Sequence, residues 1–212
     1  MSLLIKSINI KPKIKILIWG ESGSGKTMLS LSATKPLICI DTERGAEPFF
    51  NRYEFDLLSL PTIDQLELAI KKLEEGNGSY ETLVVDSLTG VCELYAEKYS
   101  RGEKATFNDW GVIKPKLDKL MKKLVALPLN LIFTARSQNI FNKEYQIIGE
   151  RPHIFRGLAY WFDIIGKLER KGGEAPQMIL NKSRFALPQR IEDVSFEKLQ
   201  NLIYDKEIAV KG

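Results

Sequence analysis

Histidine and cysteine are almost missing from this chain of 212 residues: His153 is its single imidazole, and Cys39 and Cys92 are its two thiols. That scarcity excludes a disulfide scaffold, a His/Cys zinc cluster and a multi-histidine iron site, so any metal is expected to be a hard cation such as Mg²⁺ on oxygen ligands. Cys39 lies in the apolar run Leu37-Ile38-Cys39-Ile40, where a buried, inert thiol is expected. Long hydrophobic runs are missing too. Even 124–135 is interrupted by Pro128 and Asn130, and Met1-Ser2-Leu3-Leu4-Ile5-Lys6 carries no signal-type apolar stretch. A cytoplasmic protein without membrane contact is therefore expected. Charge of one sign is not in large excess, because 31 Lys and Arg stand against 27 Asp and Glu, a net +4 that permits a polyanionic partner without requiring one. There is no internal repeat, low-complexity tract or long linker, so a single domain over 1–212 is expected.

What is present is an alternation of short apolar runs, at 14–19, 37–40, 57–60, 82–85 and 129–134, with segments of helical period. That pattern predicts a three-layer α/β domain with a mostly parallel central sheet. Thr62-Ile63-Asp64-Gln65 reads as a capping box opening a helix with Leu66, Ile70 and Leu73 on one face, closed at Gly76-Asn77-Gly78. A second helix is predicted over 112–127, with Ile113, Leu117, Leu120, Met121 and Leu124 inward and five lysines on a solvated face. Segments 163–170 and 177–181 flank Lys171-Gly172-Gly173 and predict a C-terminal antiparallel hairpin. Segments 100–109 and 137–152 read as long loops.

Directly after the first strand stands Gly20-Glu21-Ser22-Gly23-Ser24-Gly25-Lys26-Thr27, followed by Met28 and a helical run. This is a complete phosphate-binding loop in its required strand-to-helix context. The glycines let backbone N–H groups curl around phosphates, Lys26 can reach the β- and γ-phosphates of ATP, and Thr27 offers a hydroxyl to Mg²⁺. Asp86 ends the strand Leu83-Val84-Val85, where it can hold the same metal or, alternatively, simply cap the next helix with Ser87 beside it. Glu43 follows the strand 37–40 and is the candidate base that deprotonates water; a surface loop with an incidental Glu43–Arg44 pair is the alternative. No arginine-rich lid of a small-molecule kinase is found.

These segments, with Lys182-Ser183-Arg184 after the final hairpin, resemble the core ATPase domain of the RecA/RadA superfamily over about 14–188. The resemblance implies an ATPase in which Glu43 is the catalytic glutamate, Asp86 the metal-holding aspartate, and Lys182 and Arg184 cations that reach a neighbouring subunit's nucleotide in a ring or filament. These last two are expected to diverge to opposite faces or edges of a strand-like segment. With no further domain expected, and with Asp109-Trp110-Gly111 before the lysine-rich helix and Leu131-Ile132-Phe133-Thr134-Ala135 after it, the chain looks most like the short Sak-type single-strand annealing ATPases of bacteriophages. That implies single-stranded DNA binding and recombination. One departure stands out: where the superfamily places a γ-phosphate-sensing glutamine, this chain has Arg136, with Gln138 two residues on.

The positive charge gathers between 151 and 190, where eight Lys and Arg stand against three Asp and Glu. Just before it come Phe141, Lys143 and Tyr145, and with Arg151 they supply the aromatics and cations that stack bases and neutralise phosphates. An ordinary exposed hairpin over 139–148 is the alternative. An oligomeric nucleotide-gated switch, or a helicase-loader-like ATPase with no direct DNA role, is the rival to DNA binding.

Overall fold

The computed structural model describes residues 13–76, 79–102, 104–170 and 172–209, the last five as backbone only. The expected turn residues Asn77, Gly78 and Lys171 and the N-terminal segment lie outside the described residues.

The apolar runs form β1 (Lys15–Gly20), β2 (Leu37–Asp41), β3 (Asp56–Ser59), β4 (Thr82–Asp86) and β5 (Asn130–Phe141). All five pair in parallel in the order β3-β2-β4-β5-β1. Because strand side chains alternate, each strand feeds two faces. In β1, Leu17 and Trp19 join one core with the helices α2 (Ile63–Glu74), α3 (Leu88–Tyr99) and α4 (Phe107–Ala126). Ile16 and Ile18 join the other, with α1 (Lys26–Leu31) and α5 (Phe196–Ala209). The three-layer expectation is met. The thiols are buried as expected for Cys39, and burial pushes the Cys92 thiol up to about 11, so neither is reactive.

The C-terminal hairpin forms as β7 (Ile164–Glu169) and β8 (Gln177–Ser183), antiparallel to each other, with β7 parallel to β1 and β9 (Arg190–Ile191) at the edge. Two corrections follow for the expected loops. Helix α4 begins at Phe107 because Thr106 and Asp109 form a reciprocal capping box: the Thr106 N–H donates to Asp109 Oδ2 at 2.9 Å and the Asp109 N–H to Thr106 Oγ1 at 3.4 Å. Segment 137–152 is no loop, since β5 runs on past the core to Phe141 and pairs antiparallel with β6 (Ile147–Pro152). Helix α3 is the helix expected after Asp86, and α5 had no counterpart in the sequence expectations. No described helix is long and apolar enough to cross a membrane.

Candidate nucleotide-binding site

The carboxyl ends of β1, β2, β4 and β5 converge on one cleft of about 690 Å³. Parallel strands bring their ends to one edge of the sheet, so residues far apart in sequence meet there. Gly20, Glu21, Ser22, Gly23, Gly25, Lys26, Thr27 and Met28 line it, as do Glu43, Asp86 and Arg136. Ser24, also expected in the loop, is buried on its far side and lines an adjoining cleft with Lys167 and Arg170. Two glycines are imposed by geometry. Gly25 precedes α1 with φ +97°, and a Cβ on Gly20 would collide with the Leu168 carbonyl oxygen of β7.

Lys26 Nζ donates to the carbonyls of Gly20 at 2.9 Å and Glu21 at 2.7 Å, closing the loop on itself. Burial lowers its pKa below that of an ordinary ammonium, opposed by the negative charges of Asp86, Glu43 and Glu21. Thr27 Oγ1 donates to Asp86 Oδ2 at 2.6 Å, and the Thr134 hydroxyl donates to Asp86 Oδ1. Asp86 is buried, and burial raises its pKa against those two hydrogen bonds. A buried carboxylate beside a threonine hydroxyl, both facing the cleft, is a hard-oxygen pair whose charge a cation would stabilise; it fits Mg²⁺. Asp86 does not cap α3. The Ser87 hydroxyl accepts from the Gly90 N–H at 3.0 Å and takes that role.

Glu43 lies in the cleft as expected, on a loop held by Asp41. The buried Asp41 carboxylate accepts from the Glu43 N–H at 2.9 Å and the Ala46 N–H at 2.8 Å, two bonds that fix the chain between them. The same loop is pinned to β4 by Thr42, whose Oγ1 accepts from the Ser87 N–H at 2.9 Å. A Cβ at Gly90, in the first turn of α3, would overlap the Thr42 side chain. The Glu43 carboxylate accepts from the Ser87 hydroxyl and lies 3.3 Å from Arg136 Nε. Asp41 and Thr134 escaped the sequence expectations as site residues, while Arg136 stood out only in a sensor's place and Ser87 only beside a possible helix cap. Most of their partners come from other segments: Ser87 and Arg136 meet Glu43 of the β2 loop, Arg136 also meets Glu93 of α3, and Thr134 meets Asp86 of β4.

Lys182 and Arg184 are placed otherwise than expected. Arg184 follows the end of β8, and both side chains reach the same Tyr160 carbonyl, so they do not diverge. Lys182 Nζ donates to the carbonyls of Ala159 at 3.0 Å and Tyr160 at 3.3 Å, at the end of the 3₁₀ turn Arg156–Trp161. Arg184 bonds the Tyr160 carbonyl at 3.4 Å and pairs with Asp163 at 3.1 Å. Both brace their own domain. The expected basic patch is likewise partly spent internally, because Lys167 pairs with Glu150 at 2.6 Å and Glu169 at 2.8 Å. Phe141, Lys143 and Tyr145 are exposed on the β5–β6 hairpin, and Arg151, also exposed, bonds Gln138 at 3.4 Å across its base.

Residues 12–191, most of the chain, match the family model described as AAA domain. The chain belongs to that family. As an AAA-domain protein with a P-loop on a RecA-like fold, it is a P-loop ATPase. Among solved structures, it is similar to a crystal structure of the RadB recombinase, with 17% identity, a TM-score of 0.58, and coverage of 86% of this chain and 88% of that one. At that identity the likeness concerns the fold. No curated protein sequence matches this AAA domain.

Proposed function

We propose that this ATPase is Mg²⁺-dependent and acts on single-stranded DNA, in recombination or annealing of the kind served by the short Sak-type phage proteins. The observation that carries the DNA reading is the continuity of β5. One strand holds Thr134 against Asp86 and Arg136 against Glu43, then runs without a break to the exposed Phe141 of the hairpin. The hairpin thus offers two rings, Phe141 and Tyr145, and the cations Lys143 and Arg151 to a chain of bases and phosphates, on the same element that lines the nucleotide cleft. The structurally similar RadB protein is a recombinase, which supports the same reading.

In the ATPase cycle, Thr27 and Asp86 would hold Mg²⁺, which when bound neutralises phosphate charge. Lys26 would bind the β- and γ-phosphates, and Glu43 would take a proton from water. Single-stranded DNA affinity should fall steeply with salt and depend little on sequence. Phe141→Ala and Tyr145→Ala should each cost about 1 to 3 kcal/mol of binding if the rings stack on bases. Fluorescence anisotropy with an ATP analogue present measures both. No binding at low salt would favour the nucleotide-gated switch or helicase-loader reading.

The same reading includes a head-to-tail homo-oligomer, ring or filament, in which the half-exposed Arg184 exchanges Asp163 for a neighbour's nucleotide and Lys182 assists. Turnover per subunit should then rise with protein concentration. A rate per subunit that stays flat through the assembly range would remove both residues from a role in trans.

A further inference from the structure

A further cleft, of about 480 Å³, shares no lining residue with the nucleotide cleft. Its walls are α3, through Cys92 and Ala96, the first turn of α4, and the chain 151–156 that leaves β6. Its floor is apolar and aromatic. Trp110 stacks on Phe155, with ring centroids 5.8 Å apart and planes 18° from parallel. At the mouth stands Phe107, the first residue of α4, which is 92% exposed. The reciprocal pair Thr106 and Asp109 caps the helix without it, so this ring does nothing for the fold that a small side chain would not do. An exposed ring over an apolar cleft is the usual mark of a binding surface.

The rim of the cleft is cationic. Arg151 and Arg156 line it, and Lys114 Nζ lies 5.2 Å from the centroid of the Phe155 ring. Among the described residues none of these three makes an ion pair, and Arg151 bonds the neutral Gln138 at 3.4 Å. The carboxylate of the lining, Glu93, is already bound to Arg136. Elsewhere on the same helical layer a cation is matched, as Lys98 is by Asp64 at 2.7 Å. The fold thus leaves three positive groups around an apolar floor, and the complement of that surface is a bulky apolar group flanked by negative charge.

That description fits an acidic peptide better than a nucleobase. Phe155 is already packed against Trp110 and Lys114, and the polar groups of the floor are engaged. Thr89 Oγ1 donates to the His153 carbonyl at 2.9 Å and accepts from the Arg136 N–H at 3.0 Å, while Gln138 holds Arg151. A base edge would find few free partners, whereas an aliphatic or aromatic side chain needs none.

We propose that this cleft docks an acidic segment of a partner protein, with a bulky apolar side chain seated against Phe107 and Trp110 and carboxylates on Arg151, Arg156 and Lys114. The site goes beyond the DNA reading and does not depend on it. Because Arg151 also stands at the base of the hairpin, Phe107 and Arg156 are the residues that separate the two.

The test is selection of a displayed library of random dodecapeptides on the full chain, with the enriched peptides then labelled and titrated by fluorescence anisotropy. The enriched sequences should carry Asp or Glu around a Leu, Ile, Phe or Trp. Phe107→Ala removes a ring that is already in water, so the fold is kept, and it should weaken binding by about tenfold or more. Alanine in place of the peptide's own apolar residue should cost a similar factor. Arg156→Glu should weaken binding several-fold, by less as salt is raised. No enrichment, enrichment of basic or uncharged sequences, or equal binding by Phe107→Ala and the wild type would overturn the proposal. Displacement of the peptide by oligothymidine, with oligothymidine affinity also lost in Phe107→Ala, would give the cleft to nucleic acid and overturn it as well.

Discussion

Lys26→Ala is expected to reduce ATP turnover by at least about a hundredfold, the scale on which loss of one preorganised charge-stabilising donor acts in other enzymes. Nζ now bonds the Gly20 and Glu21 carbonyls, and phosphate oxygens at the same mouth would take over its protons. Burial depresses the Lys26 pKa, so the ammonium gains more from an anionic partner in the cleft than a solvated lysine would. The substitution leaves the helical backbone of α1 intact and frees two carbonyls near solvent, so folding should survive and circular dichroism should be unchanged. Nucleotide binding should weaken less than turnover, because backbone N–H groups of the loop still face the phosphates. Wild-type hydrolysis by this variant would sink the phosphate-loop assignment.

The second large effect separates two carboxylates that both line the cleft. Glu43→Gln should keep Mg²⁺-nucleotide binding within about twofold while turnover falls by about two to four orders of magnitude, the range for loss of a general base. The amide keeps the shape of Glu43 but cannot take the proton. Asp86→Asn should act on binding instead. The buried Asp86 carboxylate accepts from both Thr27 and Thr134, and an amide in its place presents an NH₂ group to one of these hydroxyls and brings no charge to a cation. Its nucleotide affinity should therefore lose most of its dependence on Mg²⁺. Titrating Mg²⁺ against binding and against rate distinguishes the two variants. Normal turnover by Glu43→Gln would place the base elsewhere, and unchanged Mg²⁺ dependence in Asp86→Asn would remove Asp86 from the metal site.

The parts of this molecule that were legible from the chain alone are those whose physics is local. The phosphate loop declares itself because its glycines, lysine and threonine act within one strand-to-helix turn, and Gly25 takes the left-handed conformation that its place demands. The apolar runs declare the parallel strands, because strands buried on both faces need no alternation. Once those strands are parallel, Glu43 and Asp86 must share an edge, and they do.

What the tertiary structure decided depends on partners distant in sequence. Segment 137–152 reads as a long loop, with a hairpin over 139–148 as the alternative; residues 137–141 form a strand through pairing with β6. Lys182 and Arg184 looked free for a neighbour, yet the 3₁₀ turn that ends at Trp161 supplies carbonyls, and Asp163 a carboxylate, that no local pattern foretells. Likewise, nothing in the run around Arg136 announces Glu43 and Glu93, which arrive from β2's loop and from α3. Local spacing sets which backbone shapes are favoured. Which charges meet is set by the folding of separate strands and helices into one sheet edge, and there the tertiary structure alone joins Arg136 to Glu43.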